Sequence, residues 1–149
     1  MVELVPIREA DRDELREVVR RYWIGLMPHA PVVQDPARGE VEFRSRFRLD
    51  DAESLHWWAV LDGIRIGFAK VDLAEENGER SAQVRDFYVE PEWRRRGYGR
   101  AFARAMIGWL REQGVGQIDL NVRRDNPVAL AFWRSLGFDL ALYHLRRYL

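Results

Sequence analysis

Three consecutive arginines, Arg94, Arg95 and Arg96, run straight into Gly97-Tyr98-Gly99, and Arg100 follows. That combination suits a phosphate. Glycine lets main-chain N–H groups approach a ligand with no Cβ in the way, and arginine supplies charge in a fork that matches phosphate oxygens. Phe102, Ala105, Met106, Trp109 and Leu110 then recur at helical spacing. A helix therefore starts near Gly97, with its unpaired N–H groups and positive dipole end at the same place. Two commoner phosphate motifs are excluded. No Gly-Lys-Ser/Thr follows the glycines, and Phe102 stands where a dinucleotide fingerprint has its third glycine. Upstream, Val84, Arg85, Phe87, Tyr88 and Val89 make a β-prone stretch that Pro91 ends. Asp86, inside that stretch, is a carboxylate that can take up a proton, directly or through water, or hold a cationic amine. An ion pair with a nearby arginine is the competing reading. Glu90 and Glu92 offer the same chemistry from a turn, where carboxylates are usually solvated.

The pattern resembles the GNAT family of N-acetyltransferases. That family's acetyl-CoA loop reads Arg/Gln-x-x-Gly-x-Gly/Ala after a strand with a Val-x-Pro-like end. Here it is Arg94-Arg95-Arg96-Gly97-Tyr98-Gly99 after Tyr88-Val89-Glu90-Pro91. A second family motif follows in order, Asn126-Pro127-Val128-Ala129-Leu130-Ala131-Phe132-Trp133, closing with Leu136-Gly137-Phe138. The resemblance implies that backbone N–H groups of the loop, with Arg94, Arg95, Arg96, Tyr98 and Arg100 around them, hold the pyrophosphate of acetyl-CoA. It implies that the strand edge at Phe87, Tyr88 and Val89 pairs with the pantetheine arm. Asn126, Phe132 and Trp133 then lie beside that arm, and Asn126 also reads as a plain helix cap. The implied activity is acetyl transfer from acetyl-CoA to a primary amine of a small molecule or peptide, without a metal. An oxyanion would be held by a strand N–H near Val89.

Departures from the family pattern bear on catalysis. Many members have tyrosine, placed to protonate the leaving thiolate, where this chain has Trp133, and indole cannot give up its proton at physiological pH. By position, Tyr143 is the substitute phenol. Asn121 stands where ribosomal-type N-terminal acetyltransferases carry a glutamate base, and an amide cannot take up a proton. An Asp-Phe-Tyr-Val run like Asp86-Phe87-Tyr88-Val89 occurs in diamine acetyltransferases, but the preceding residue there is glutamate and here is Arg85. These losses leave a second reading open, a CoA-binding or regulatory module with no transferase activity.

Bulk properties bound the rest. A chain of 149 residues suits a single domain over 1–149, and 47% hydrophobic with 12% aromatic residues can fill a core. Acidic and basic residues balance at 24 each, which argues against nucleic-acid binding, including RNA stacking on Tyr88, Trp93 and Tyr98. There is no cysteine, so disulfide and thiolate chemistry are excluded. His29, His56 and His144 are isolated and read as surface or packed residues, so no metal site is expected. The opening MVELVPIREADRDE lacks a signal-peptide apolar stretch, and no apolar run spans a bilayer. The expectation is a cytoplasmic protein without a membrane partner.

Elements that must position these residues follow from periodicity. Glu3 to Ile7 reads as a strand. Leu15, Val18, Val19, Tyr22 and Trp23 form a helical stripe, begun by a capping-box-like Asp11 and Glu14. Glu40 to Leu49 reads as a poorly periodic second helix, in a region that overlies the acceptor site in the resembled family. Leu55–Leu61 and Ile64–Leu73 are hairpin strands about Asp62-Gly63. Asn77-Gly78 leads to a strand over Ser81–Val89. A phase slip between Phe68 and Val71 points to a bulge. Ile118, Leu120 and Val122 make a further strand. Asn126 caps a helix that Gly137 ends, and Phe138 to Leu149, including Tyr143, supplies the last strand or strands. Trp57 and Trp58 must face opposite ways. One belongs to the core, and the other lines the acceptor site or a homodimer contact. The expected architecture is α/β (α+β), a mixed central sheet flanked by helices, as in the GNAT fold.

Overall fold

Two mirror-image turns organise the middle of the chain. Asp62, Gly63, Asn77 and Gly78 all have positive φ (48°, 80°, 53° and 80°), the turn geometry whose twist matches antiparallel strands. In this computed structural model, which describes residues 1–149, they join β2 (Ser54–Leu61), β3 (Ile64–Glu76) and β4 (Glu79–Val89) into a meander. β1 (Val2–Pro6) pairs antiparallel with β2, and β5 (Val115–Leu120) pairs parallel with β4. The sheet order is β1-β2-β3-β4-β5. Helices cover both faces, as expected for a mixed α/β sheet.

One face packs on α1 (Arg12–Leu26) and α3 (Pro36–Arg46), with the short α2 (Pro31–Gln34) between them. There Leu15, Val18, Val19, Trp23, Phe43 and Phe47 meet Trp58, Phe68 and Tyr88. The other face packs on α4 (Tyr98–Glu112) and α5 (Pro127–Ser135). Phe102, Ala103, Met106, Leu110 and Trp133 meet Trp57, Ala69, Val71, Val84 and Val89. Trp57 and Trp58 do face opposite ways, but both are core residues. Trp58 lies under the Arg65 guanidinium, 4.7 Å from its ring, and lines a small cavity with Arg21, Glu90 and Trp93.

Two bulges set which residues face which layer. Val60 pairs with Arg65 and Ala59 with Gly67, so Ile66 is the extra residue in β3. Lys70 pairs with Asp86 and Val71 with Val84, so Arg85 is the extra residue in β4. The slip expected between Phe68 and Val71 is thus a real ladder irregularity, with its inserted residue on the neighbouring strand. Before Arg85, Ala82 and Val84 face α4. After it, Phe87 and Val89 face α4, while Asp86 and Tyr88 are turned toward α1 and α3. One inserted residue inverts the alternation of everything after it.

Three expectations need correction. The second helix begins at Pro36, not Glu40, because Asp35 caps it, accepting from Ala37 N (3.1 Å) and Arg38 N (3.5 Å), with proline at the first position. Asp11 does not cap α1. Its carboxylate turns back to Arg8 N (2.9 Å) and Trp58 Nε1 (3.3 Å), and Glu14 pairs with Arg65. The segment from Phe138 to Leu149 forms no strand. Its Leu140, Leu142, Tyr143, Leu145 and Leu149 are exposed, and β5 keeps an unpaired outer edge.

The sheet's tightest approach is at Gly67, where an added Cβ would lie 2.1 Å from the Tyr88 carbonyl oxygen. Gly67→Ala should cost about 2 kcal/mol, the scale of an overpacked core. Gly108 in α4 has nothing within 4 Å of its Cβ position, so Gly108→Ala should stabilise by about 0.8 kcal/mol through helix propensity. Urea unfolding of the two variants checks the opposite signs.

Candidate functional site

β5 follows β4 only as far as the pairing of Val84 with Leu120. Beyond it, Asp86 to Val89 keep their ladder with β3, and their other edge has no strand beside it. At the end of that free edge the chain makes a single 3₁₀ turn (Pro91–Trp93) and enters the arginine loop. Arg95 has φ 61° and Gly97 φ 85°, left-handed conformations that turn the chain sharply into α4. No side chain caps α4, and its first main-chain bond runs from Ala101 N to Gly97 O (3.1 Å). The N–H groups of Tyr98, Gly99 and Arg100 therefore have no acceptor within the chain, and a Cβ placed on Gly97 would meet nothing within 4 Å. Open space over unpaired donors at a helix start is the geometry that accepts an anion.

The loop arginines divide their work. Arg94 donates from Nε to the Val89 carbonyl (2.7 Å) and lies 5.4 Å from the Tyr88 ring. It fastens the loop to the strand end. Arg96 covers Trp93 at 5.6 Å, and Arg100 reaches across to Ser135 Oγ (2.6 Å), tying α4 to α5. Arg95 makes no such contact and is exposed.

α5 closes the other side of the cleft. Asn126 caps it, Oδ1 accepting from Ala129 N (3.1 Å), so its amide NH₂ is what remains for another partner. Phe132 lies 3.7 Å from where a side chain on Gly99 would begin. Trp133 is buried among the rings of Phe87 (4.9 Å), Phe132 (4.9 Å) and Phe138 (5.3 Å), and Phe87 stacks on Phe102 at 4.7 Å. No tyrosine belongs to this ring cluster. Tyr143 stands instead in the irregular C-terminal segment, 82% exposed, with no hydrogen bond, because the strand expected to carry it is not formed. Asn121 lies one residue past the end of β5 and is exposed.

Across the sheet, Asp86 is buried against α1 and α3. Arg46 donates from Nε to Oδ2 (3.1 Å) and from Nη2 to Oδ1 (3.2 Å), and the Tyr22 hydroxyl donates to Oδ1 (3.2 Å). Burial, then the Asp86 charge, raises the Tyr22 phenol far above its ordinary value and keeps it protonated. Register places His56, Lys70 and Asp86 in one row across β2, β3 and β4, all three buried. Lys70 pairs with Asp72 (3.3 Å). Burial pushes the Asp72 carboxyl up, but Ser54, Arg85 and Lys70 outweigh it and hold it below its usual range. Glu90 is also buried, held by Arg21 at 3.2 Å. Sequence reasoning missed Tyr22, Arg46 and Lys70. Tyr22 sat inside an apolar stripe, where its hydroxyl had no visible partner, and nothing local marks Arg46 as the mate of a residue 40 positions away.

Residues 12–138 match the model of the acetyltransferase (GNAT) family, and the chain belongs to that family. It is 35% identical over 97 residues to the aminoglycoside N(6')-acetyltransferase type 1 of Stenotrophomonas maltophilia, covering 61% of this chain and 63% of the relative. It is 42% identical over 53 residues to the ribosomal protein bS18-alanine N-acetyltransferase of Escherichia coli K12, 36% of each. The chain thus spans less than two thirds of the length of these curated relatives. Among solved structures, it superposes on an aminoglycoside N-acetyltransferase, AAC(6')-Iy, in complex with CoA. The TM-score is 0.70 at 18% identity, covering 100% of this chain and 95% of that one, a likeness of fold. No helix is long and apolar enough to cross a membrane.

His56 gives this face a pH signature. Its Nε2 is buried without a partner, and burial, then Lys70, lowers its pKa to about 4. The folded state therefore requires neutral imidazole. Stability is full above the unfolded value of about 6.5 and falls as pH drops toward the folded value. The loss from pH 7 to pH 5 should be about 2 kcal/mol. Denaturant unfolding at the two pH values checks this, and His56→Leu should flatten most of that slope.

Proposed function

We propose that this chain is an acetyl-CoA-dependent N-acetyltransferase acting on a primary amine of a small molecule or peptide. The observation that carries the reading is the free edge of β4 from Asp86 to Val89, leading directly into an uncapped helix start. An extended ligand with amide groups can add to such an edge as a strand would, and its phosphates then reach the N–H groups of Tyr98, Gly99 and Arg100. The names of the relatives support amines as acceptors, and the CoA-bound neighbour supports the donor. A cytoplasmic location goes with use of the cell's acetyl-CoA.

The donor supplies an acetyl thioester. The amine nitrogen attacks its carbonyl carbon, the C–S bond breaks, and CoA thiolate leaves. In this reading Phe87, Tyr88 and Val89 align the donor along the strand. Gly97 and Gly99 admit backbone to the pyrophosphate, with Arg95 adding charge, and Arg94, Arg96 and Arg100 brace the loop. Asn126, Phe132 and Trp133 bound the cleft opposite. Holding both reactants on one surface does much of the work. Trp133 cannot be an acid, and the exposure of Tyr143 supports no acid role for it. The proton for the thiolate then comes from water or from the reacting ammonium. The same absence of a phenol beside Trp133 favours the alternative, a CoA-binding module without turnover, which an amine panel read as CoA release distinguishes.

Gly97→Glu puts a side chain and a negative charge over the anion site. CoA affinity by calorimetry should fall by about 2–3 kcal/mol, the scale of lost charge-assisted bonds. An unchanged affinity in a folded variant rules out the donor site.

Asp86 is assigned to the acceptor half. Asp86→Asn should leave CoA affinity within about twofold, while turnover falls roughly 10²-fold through misplacement of the amine. Equal loss of CoA binding would instead mark Asp86 as a structural ion pair only.

A further inference from the structure

Asp86 presents a side chain only 2% exposed, and the cation facing it is the guanidinium of Arg46. The donors on this carboxylate differ in how firmly they are built. Tyr22 is fixed in mid-helix, its ring packed at 5.5 Å from Phe68 and 5.3 Å from Tyr88. Arg46 is the last residue of α3, its side chain is 37% exposed, and irregular chain follows it. Arg46 also walls a cavity of about 260 Å³, together with Arg48, Asp51, Glu53, Lys70 and Asp72. Asp86 is not among the residues that line it, and Arg46 is the residue that both lines the cavity and bonds the carboxylate. Of the cavity's charged groups, Asp51, Glu53 and Arg48 have no ion-pair partner. Asp51 only accepts from the Glu53 main-chain N–H (2.9 Å).

A buried carboxylate must keep a cation, but nothing requires that cation to belong to the chain. Exchange for a ligand's cation of the same shape replaces each bond lost with one gained. Arg46 uses two donors of one fork, Nε and Nη2, on the two carboxylate oxygens. A guanidinium can reproduce that pair, whereas an ammonium is a point charge without the fork. The reacting amine must be neutral to attack a thioester, so a cation site serves the acceptor's other end, a group that stays charged. On the approach the two unpaired carboxylates, Asp51 and Glu53, outnumber the one unpaired guanidinium, Arg48, which leaves the sign that attracts a cation.

We propose that Asp86 is the cation seat of the acceptor site, filled in the resting protein by Arg46. The acceptor is then a primary amine carrying a guanidinium group, which displaces Arg46 into the cavity. This rests on the N-acetyltransferase reading for the word acceptor, but the seat can be tested without turnover.

Arg46→Ala empties the seat. Methylguanidinium chloride at millimolar concentration should raise the melting temperature of that variant by several degrees, as any ligand of the native state does. Sodium chloride at equal ionic strength should not, and wild type should respond more weakly to methylguanidinium because its own Arg46 competes for the seat. Should Arg46→Ala fail to fold, Arg46→Lys keeps a charge but loses the fork and should show the same selective shift. On wild type, agmatine should exceed both 1,4-diaminobutane and n-butylamine in kcat/KM by roughly tenfold or more, because only its guanidinium replaces the fork that Arg46 gives up. No selective shift in a folded variant, or equal kcat/KM for the three amines, overturns the proposal. CoA release from none of a broad amine panel overturns the transferase reading instead, and the melting shift still decides the seat.

Discussion

A single inserted residue in β4 is the constraint on which this molecule turns. A strand's side chains alternate, so without Arg85 as a bulge, Asp86 and Tyr88 would share the face of Ala82 and Val84 and point into the apolar layer under α4. There a carboxylate would have no partner and would cost several kcal/mol. The bulge sends Asp86 to α1 and α3, where Tyr22 and Arg46 meet it, and gives Phe87 and Val89 to the α4 face. It also falls where β5 stops pairing, since the parallel ladder ends at Val84. Bulges bend and twist a strand, and here the bend coincides with the opening of the sheet.

The opened edge and the uncapped helix form one continuous surface. Main-chain groups of Asp86 to Val89 lack a strand on one side, and those of Tyr98 to Arg100 lack acceptors at the start of α4. Unpaired backbone groups are costly when buried, so both sets call for solvent or a ligand as a partner. Arg94 joins the two by its bond to the Val89 carbonyl, and Arg100 with Ser135 holds α5 at the opposite wall. Aromatic packing of Phe87, Phe102, Phe132 and Trp133 makes that wall rigid. The strand edge and helix start are thus preorganised by ring packing and main-chain geometry. The Asp86 side depends on the ion pair with Arg46 and a row of buried titratable groups.

The family's chemistry needs an amine and a thioester brought together, and the two faces of β4 divide the task in the proposed reading. Side chains toward α4 and the strand edge serve the donor, and side chains toward α3 serve the acceptor. The ring cluster without a phenol and the exposed Tyr143 turn attention from a dedicated acid to positioning as the source of rate.

The sequence alone determined what is local. Asp62-Gly63 and Asn77-Gly78 specified hairpins because few other pairs accept two positive φ values in a row. Arg94 to Gly99, followed by a helical stripe, specified a helix start without a side-chain cap, and Asn126-Pro127 specified a cap. These signals lie within a few residues of the contacts they describe, which is also why the family motifs were legible. Tertiary structure decided what distance decides. Asp35 displaced the expected start of α3, Asp11 abandoned its helix for Trp58, and the C-terminal segment carrying Tyr143 made no strand. Above all, the partners of Asp86 come from residues 64 and 40 positions earlier. A carboxylate's role depends on which charges and donors fold against it, and no local pattern encodes that meeting. It follows from the register of β4, which the Arg85 bulge sets and only the assembled sheet reveals.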